Sequence, residues 1–380
     1  MSAVGYQQSI RFLGGICIVL LVVMLDLIYF NGSTPQLNRK GMNVTVPQFK
    51  KYQARVCSLD FLRNYFVKTG RFFGGGKWVN DKWWPKDCMM PKYLSPEQLA
   101  PCLVKKNIKK IGQVGDSQSM RYMAAIKRGE NAYSCKLLKS ESTMSRSPAP
   151  SYFSPPLDPK SIRVASRDCS GCAGQLVRCT PQGSTETTDI EVLITEYTKD
   201  HEISTKRNAW KHECDDRLKN ISGIFCQESM TTQEVYFREY WALSGYPDVI
   251  IIYAVHAHEA QKRRPSDFRR DFTWFIDLVV SVVPKTTKIL YWNSPQVNSA
   301  KQPVFWRNIT ANTYISQLNA VSASVIKKFI IEKKVNNLYP MFDLYGISRD
   351  VMKWIVDGVH FSGPWYNQII TLFWTTLCAD

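Results

Sequence analysis

The sequence predicts an α/β three-layer sandwich with a mainly parallel central sheet. Three observations predict it. Strand-like and helix-like segments alternate from Lys110 to the C-terminus. The run Asp248–Val255, DVIIIYAV, is continuously apolar beyond its opening Asp, as suits a strand covered on both faces. Helical patterns several turns long separate such runs, which is what crossover connections between parallel strands require.

Taken in chain order, residues 1–11 read as a short tail and Phe12–Phe30 as a transmembrane signal-anchor. That stretch is apolar except for Asp26 and spans roughly 28 Å as a helix, close to a bilayer's hydrocarbon core. Asp26 lies near one end, where water and head groups reach it. The rival reading is a cleaved signal peptide, but no A-x-A site follows; cleavage would release a secreted protein. Residues 31–55 are polar and aperiodic, a stem. Residues 56–380 are expected to form the lumenal domain. Its opening stretch, Cys57 to Cys102, is rich in Trp, Gly and Cys and reads as an irregular, disulfide-tied lead-in, with Trp78, Trp83 and Trp84 packing structurally.

The α/β pattern follows. Lys110–Val114 reads as a strand, Gln118–Lys127 as a helix and Ile162–Ala165 as a strand. A Cys-rich, charged region at about 169–226 contains a β-like run, Asp189–Ile194, and reads as an elaboration of the domain. Beyond Asp248–Val255 come a helix at Phe268–Val283, a strand at Lys288–Trp292, a helix at Thr313–Lys333 and a last strand within Asn337–Leu344. A helix over Pro364–Leu377, with proline in its first turn, closes the chain.

Charge and cysteine usage narrow the setting. The formal net charge of +17 attracts polyanions. Lys and Arg are scattered, and no zinc-finger, RNP or homeodomain pattern occurs, so nucleic acid is not the expected partner. Sequons stand at Asn31, Asn43, Asn220 and Asn308. Of 11 cysteines, only Cys17 lies in the apolar segment; the even remainder suits disulfides in an oxidising lumen. A single-pass type II protein of the Golgi or ER, glycosylated on its lumenal side, is the expectation. Oligomeric state is not legible.

The chemistry concentrates at two places. Gly115-Asp116-Ser117 falls where a strand ends and a helix begins, the carboxyl edge at which open α/β sheets bind ligands. A helix N-terminus beside Ser117 favours developing negative charge. A serine hydroxyl needs a base, and the histidines are His201, His212, His256, His258 and His360. The last stands in Asp357-Gly-Val-His360. An Asp three residues before a His can hold the Nδ1–H and leave Nε2 to accept the serine proton. The alternative makes Ser117 a helix cap and His360 a surface residue.

Strand-GDS-helix early with D-x-x-H late resembles the SGNH/GDSL hydrolases. GKWV, W-x-P-x-x-C and Cys102-Leu103 ahead of KKIGQVGDSQSMRY narrow the resemblance to the PC-esterase group. That group includes trichome-birefringence-like polysaccharide O-acetyltransferases, neurexophilin-and-PC-esterase proteins and the sialic-acid O-acetyltransferase catalytic domain. It covers about residues 70 to 378, loosely across the Cys-rich region. The resemblance implies an SGNH-like sandwich with Ser117 as nucleophile, His360 as base and Asp357 as its partner. The Ser117 N–H would serve the oxyanion, and Gly171 and Gly174 are the candidates for a second donor. Where relatives place Arg three residues after the serine, Met120 stands here and Arg121 follows. Where many show Asn or Gly-x-His after the apolar strand, this chain reads Tyr253-Ala-Val-His256-Ala-His258, with His256 preferred as the oxyanion or substrate group.

Competing roles stay open at this point. His256 and His258, two apart on a strand with Glu259 adjacent, would share a face and suit zinc, but no third fixed ligand is evident, so no metal is expected. Cys169 and Cys172 form a redox or zinc pair or, more simply, disulfides. Arg121 either pairs with a carboxylate or contacts an acidic substrate. Asn293-Ser-Pro295 lines the cleft or is a plain turn. The expected activity is serine-dependent O-acyl transfer, O-acetyl first, to glycan hydroxyls, with an acidic glycan suiting the charge. A glycan O-acetyl esterase and a non-catalytic lumenal binding protein are the alternatives. No bound cofactor is expected; the acyl donor would be acetyl-CoA or an acetylated carrier.

Overall fold

A computed structural model describes residues 55–90, 96–127, 133–140, 175–181, 185–195, 198–199, 231–234, 237–238, 241–262, 264–307 and 310–379. The anchor at 12–30, the stem, the four sequon asparagines (Asn31, Asn43, Asn220, Asn308), the strand expected at 162–165, and Gly171 and Gly174 lie outside the described residues. No helix among the described residues is long and apolar enough to cross a membrane.

The principal elements are helix α1 (Leu59–Thr69), hairpin strands β1 (Gly76–Val79) and β2 (Lys82–Pro85), α2 (Pro96–Lys105), β3 (Lys110–Gly115) and α3 (Ser117–Lys127). Then come β4 (Tyr133–Ser140), β5 (Gln175–Pro181), β6 (Thr188–Ile194), β7 (Val249–Tyr253), α4 (His256–Lys262), α5 (Pro265–Val282), β8 (Lys288–Trp292), α6 (Asn312–Ile331), β9 (Leu338–Pro340) and α7 (Gly363–Cys378). The central sheet runs β4-β5-β6-β3-β7-β8-β9. From β6 to β9 every neighbouring pair is parallel, while β4–β5 and β5–β6 are antiparallel.

The alternation of strand side chains builds both cores. Val249, Ile251 and Tyr253 of β7, with Leu290 and Trp292 of β8, face α3 and α7. Ile250 and Ile252, with Ile289 and Tyr291, face α5 and α6. Each such side chain contributes about 1.5–3 kcal/mol on full burial, which is why β7 is apolar along its length. Gly112 and Gly115 on β3 admit a close approach. A Cβ at Gly112 would fall 2.6 Å from the Trp241 ring, and one at Gly115 2.8 Å from the Tyr253 Cβ.

Three sequence expectations need correction. The Cys57–Cys102 stretch is regular rather than irregular. Ser58 caps α1 by accepting the Phe61 N–H at 3.1 Å, Gly70 closes it at φ +71°, and Leu59, Leu62 and Phe66 form its buried stripe. Those signals stood in the sequence but were hidden by interleaved aromatics. The strand expected to reach Val255 stops at Tyr253, because His256 opens α4. The described part of the 169–226 region supplies β5 and β6 of the central sheet itself. Disulfides join Cys57 to Cys88 and Cys102 to Cys378, and Cys179 is also disulfide-bonded. The second bridge ties α2 to the end of α7 across a sequence separation of 276.

Candidate active site

Asp116 makes the turn that presents Ser117. Its side chain accepts the Gln118 N–H at 2.9 Å, and its carbonyl accepts the Ser119 N–H at 3.0 Å and hydroxyl at 2.6 Å. This is an N-cap that starts α3 at Ser117, directly beyond the carboxyl end of β3. Among the described residues no acceptor takes the Ser117 N–H, which leaves it available at the helix N-terminus. Burial raises the Asp116 pKa; His258, 3.8 Å away, opposes this, as do the Gln118 N–H and His360.

His360 arrives from the tip of a short hairpin. Ile355 and Phe361 form an antiparallel bridge, and the Val356 N–H donates to the His360 carbonyl at 2.7 Å. Asp357 folds back within the tip. Its Oδ1 accepts the Val359 and His360 N–H groups at 3.1 and 2.8 Å, and its Oδ2 lies 2.7 Å from His360 Nδ1. The opposite ring nitrogen, Nε2, is 2.6 Å from Ser117 Oγ. The structure therefore brings Ser117, His360 and Asp357 into one continuous chain of hydrogen bonds, across 243 residues of sequence between serine and histidine.

Partial burial pushes the Asp357 pKa up, but the His360 backbone N–H, ring and charge, with the Val359 N–H, outweigh it and leave the pKa below the usual carboxylate value. The carboxylate is thus ionised throughout the neutral range. Its stabilising contribution is present above the unfolded-state pKa and is lost as pH falls through the lowered folded value. Arg121, one turn along α3 from Ser117, reaches the same carboxylate, with Nη2 4.0 Å from Asp357 Oδ2.

Residues that sequence reasoning did not single out hold the two halves together. The Gln118 amide donates to the Val359 carbonyl at 2.8 Å. Tyr366 donates its hydroxyl proton to Gln118 Oε1 at 2.7 Å and accepts the Phe361 N–H at 3.2 Å. From the other side, Lys301 Nζ donates to the Ile355 carbonyl at 2.5 Å and the Asn298 N–H to the Gly358 carbonyl at 2.8 Å. Only the GDSQ tetrad hinted at Gln118; the remaining partners come from distant segments that no local pattern links.

Gly358 carries φ +98°, and a Cβ there would run into the Gln302 side chain and come within 3.1 Å of the Asn298 carbonyl. Gly358→Ala is accordingly expected to cost about 1–3 kcal/mol at the hairpin tip and to lower turnover at least about tenfold by displacing the imidazole. Chemical denaturation and steady-state kinetics on one small acetyl ester check both. An unchanged kcat would show that the tip tolerates the shift.

The structure does not place His256 at this cleft. It is 1% exposed, its ring lies edge-on to Phe268 at 5.0 Å, and neither ring nitrogen makes a hydrogen bond of ordinary geometry. Burial depresses its pKa to about 3, with Asn319 opposing weakly. The group is a neutral core histidine and does not fit an oxyanion or substrate role. His258, two residues on along a helix rather than a strand, points instead toward Asp116. The pair therefore lacks the shared face that a zinc reading needs, and no metal-ligand cluster occurs among the described residues. Because the unfolded state protonates His256 near pH 6.5 and the folded state resists it, stability should fall as pH drops below about 6.5, by up to about 1.4 kcal/mol per unit. His256→Gln should flatten that slope in urea titrations between pH 6.5 and 4.5; an equal slope would count against a neutral buried ring.

Of the other expected site residues, Arg121 sits beside Asp357, and Asn293 follows β8 with its amide 2.7 Å from Asp343 Oδ1. Asn293 also accepts the Leu344 N–H at 2.7 Å, which makes it a structural turn residue. Gly171 and Gly174 fall outside the described residues.

No family model and no curated protein matches this chain. Among solved structures it is similar to a lipase/acylhydrolase from Enterococcus faecalis, at 15% identity, covering 72% of this chain and 96% of that one, TM-score 0.35. It is also similar to a structure titled peptidoglycan O-acetylesterase in action, at 11% identity, covering 74% and 95%, TM-score 0.37.

Proposed function

We propose that this chain is a serine-dependent O-acyltransferase of the SGNH type, moving an acetyl group onto glycan hydroxyls through an acyl-serine intermediate. The observation that carries this reading is the unbroken relay Ser117 Oγ, His360 Nε2, His360 Nδ1, Asp357 Oδ2 at 2.6 and 2.7 Å. In the first step Ser117 Oγ attacks the acyl carbonyl while its proton passes to His360 Nε2. The oxyanion forms beside the Ser117 N–H at the start of α3. Collapse breaks the bond to the donor group, which leaves with the proton from His360. In the second step the neutral imidazole takes a proton from the acceptor hydroxyl as it attacks the acyl-serine, and Ser117 recovers its hydrogen. Asp357 holds the ring orientation throughout and stabilises the imidazolium.

Transfer and hydrolysis share the intermediate and differ only in the acceptor, so an O-acetyl esterase is the same machine with water in the second step. The sequence motifs shared with glycan O-acetyltransferases support a sugar acceptor, and the net charge of +17 supports an acidic one. The donor would be acetyl-CoA or an acetylated carrier. The setting proposed with this reading is a lumenal body on a single N-terminal anchor in the Golgi or ER. Intact-mass and peptide mass spectrometry after brief incubation with an aryl acetate should find one added acetyl on Ser117. Acetyl on other residues only, or none, would overturn the mechanism; candidate glycans added next would identify the acceptor.

A further inference from the structure

A second concavity lies apart from the triad. It is a groove of about 1130 Å³ between the end of α1, the Gly70–Gly75 bend, α5 and the length of α6. None of Ser117, Asp357 and His360 lines it. Its cations are Arg71, Arg269, Lys327 and Lys328, against the carboxylates of Glu332 and Asp343. None of the four cations lies within ion-pair distance of a carboxylate among the described residues; Arg269 donates to the Ser324 hydroxyl at 3.2 Å. Asp343 offsets them little, since its carboxylate is taken up by the Asn293 amide and the Tyr345 and Gly346 N–H groups, and burial raises its pKa.

The walls have a second character. Tyr65 and Tyr345 are half-buried along the groove, and Thr273 and Ser316 add hydroxyl groups. Aromatic faces with hydroxyls suit a hydroxyl-rich ligand carrying apolar C–H faces. The groove runs roughly 18 Å along α6 from Ser316 to Lys328, long enough for several sugar units, with Arg269 beside Ser324 and Lys327 and Lys328 gathering the positive charge toward one end. Glycines make the shape. Gly70 turns the chain at φ +71° beside Lys327 Nζ, and a Cβ at Gly74 would strike Asp343 at 2.8 Å. This gives the GGG stretch before Lys77 a role that the triad does not explain.

The position relates the groove to the chemistry. Asn293, in its lining, follows the carboxyl end of β8, and Ser117 follows β3 with only β7 between them. Two strand spacings are roughly 10 Å, within reach of one chain molecule. From these observations we infer that this groove is a binding site for an acidic oligosaccharide, holding a polymeric acceptor beside the catalytic serine. The inference rests on the proposed function only for the identity of the bound sugar as acceptor; binding itself does not require turnover.

The test separates the two. Ser117→Ala protein is titrated calorimetrically with an oligouronate, with a neutral malto-oligosaccharide and inorganic phosphate as comparison arms. The oligouronate should bind with an affinity that falls as salt rises. The pair Arg269→Glu and Lys327→Glu should weaken it by about tenfold or more through reversal of two groove charges. In the Ser117 background, the same pair should leave turnover of a small aryl acetate unchanged, and circular dichroism should report an intact fold. Oligouronate binding that is absent, equal to that of the neutral sugar, or unaffected by the charge reversals would overturn the inference, as would phosphate binding as tightly. Loss of aryl acetate turnover in the unaltered enzyme would instead count against the acyl-serine reading and leave the binding result standing.

Discussion

Ser117→Ala is expected to reduce acyl-ester turnover by about a thousandfold or more, with little change in stability. The hydroxyl contributes the nucleophile and the hydrogen bond that His360 Nε2 makes at 2.6 Å. Its removal leaves the Asp116 cap intact, because that cap uses the Gln118 and Ser119 N–H groups rather than the Ser117 side chain. A folded, inert protein is therefore the outcome that distinguishes an enzyme from a binding module of the same architecture. Steady-state hydrolysis of an aryl acetate, read alongside thermal unfolding, measures both. Turnover within about threefold of the parent would remove Ser117 from the mechanism.

Asp357→Asn should lower turnover by about a hundredfold or more at neutral pH while preserving the hairpin tip. An asparagine oxygen can still accept the Val359 and His360 N–H groups, so the backbone of the tip keeps its hydrogen bonds. The amide nitrogen would then face His360 Nδ1, and its hydrogens favour the tautomer that carries the proton on Nε2. That nitrogen could no longer accept the Ser117 proton. The effect should be smaller than for a fully buried triad carboxylate, because the Asp357 side chain is 49% exposed and water can partly replace it. A pH–rate profile on the same ester provides the check. A variant retaining most of its activity across the neutral range would show that the ring is oriented by Gln118 and the hairpin alone.

Much of the fold was legible because it is written in local periodicity. Lys288–Trp292 is legible with the boundaries the structure has, and the neighbouring strands and helices with ends differing by a few residues. Burial on both faces of a parallel strand favours apolar residues, so the run Val249–Tyr253 declares itself. The hairpin of β1 and β2 and the edge pair β4–β5 did not, because their mixed polar and aromatic sequences fit turns and loops as well as strands. His256 and His258 show the limit at the level of one residue. On an extended strand they would share a face; as the first turn of a helix, one enters the core against Phe268 and the other reaches Asp116.

By itself the sequence determined which residue types were available for the chemistry and where they stood on the layers. A GDS follows the first strand of the parallel set, and a D-x-x-H precedes the last helix. Local patterns suffice for that, since backbone periodicity and capping act over a few residues. Only the tertiary structure decided that His360 Nε2 meets Ser117 Oγ, that Gln118 and Tyr366 lock their two segments together, and that four cations from three segments gather along α6. Those placements depend on packing between elements hundreds of residues apart, and no short-range rule in the chain encodes a distance.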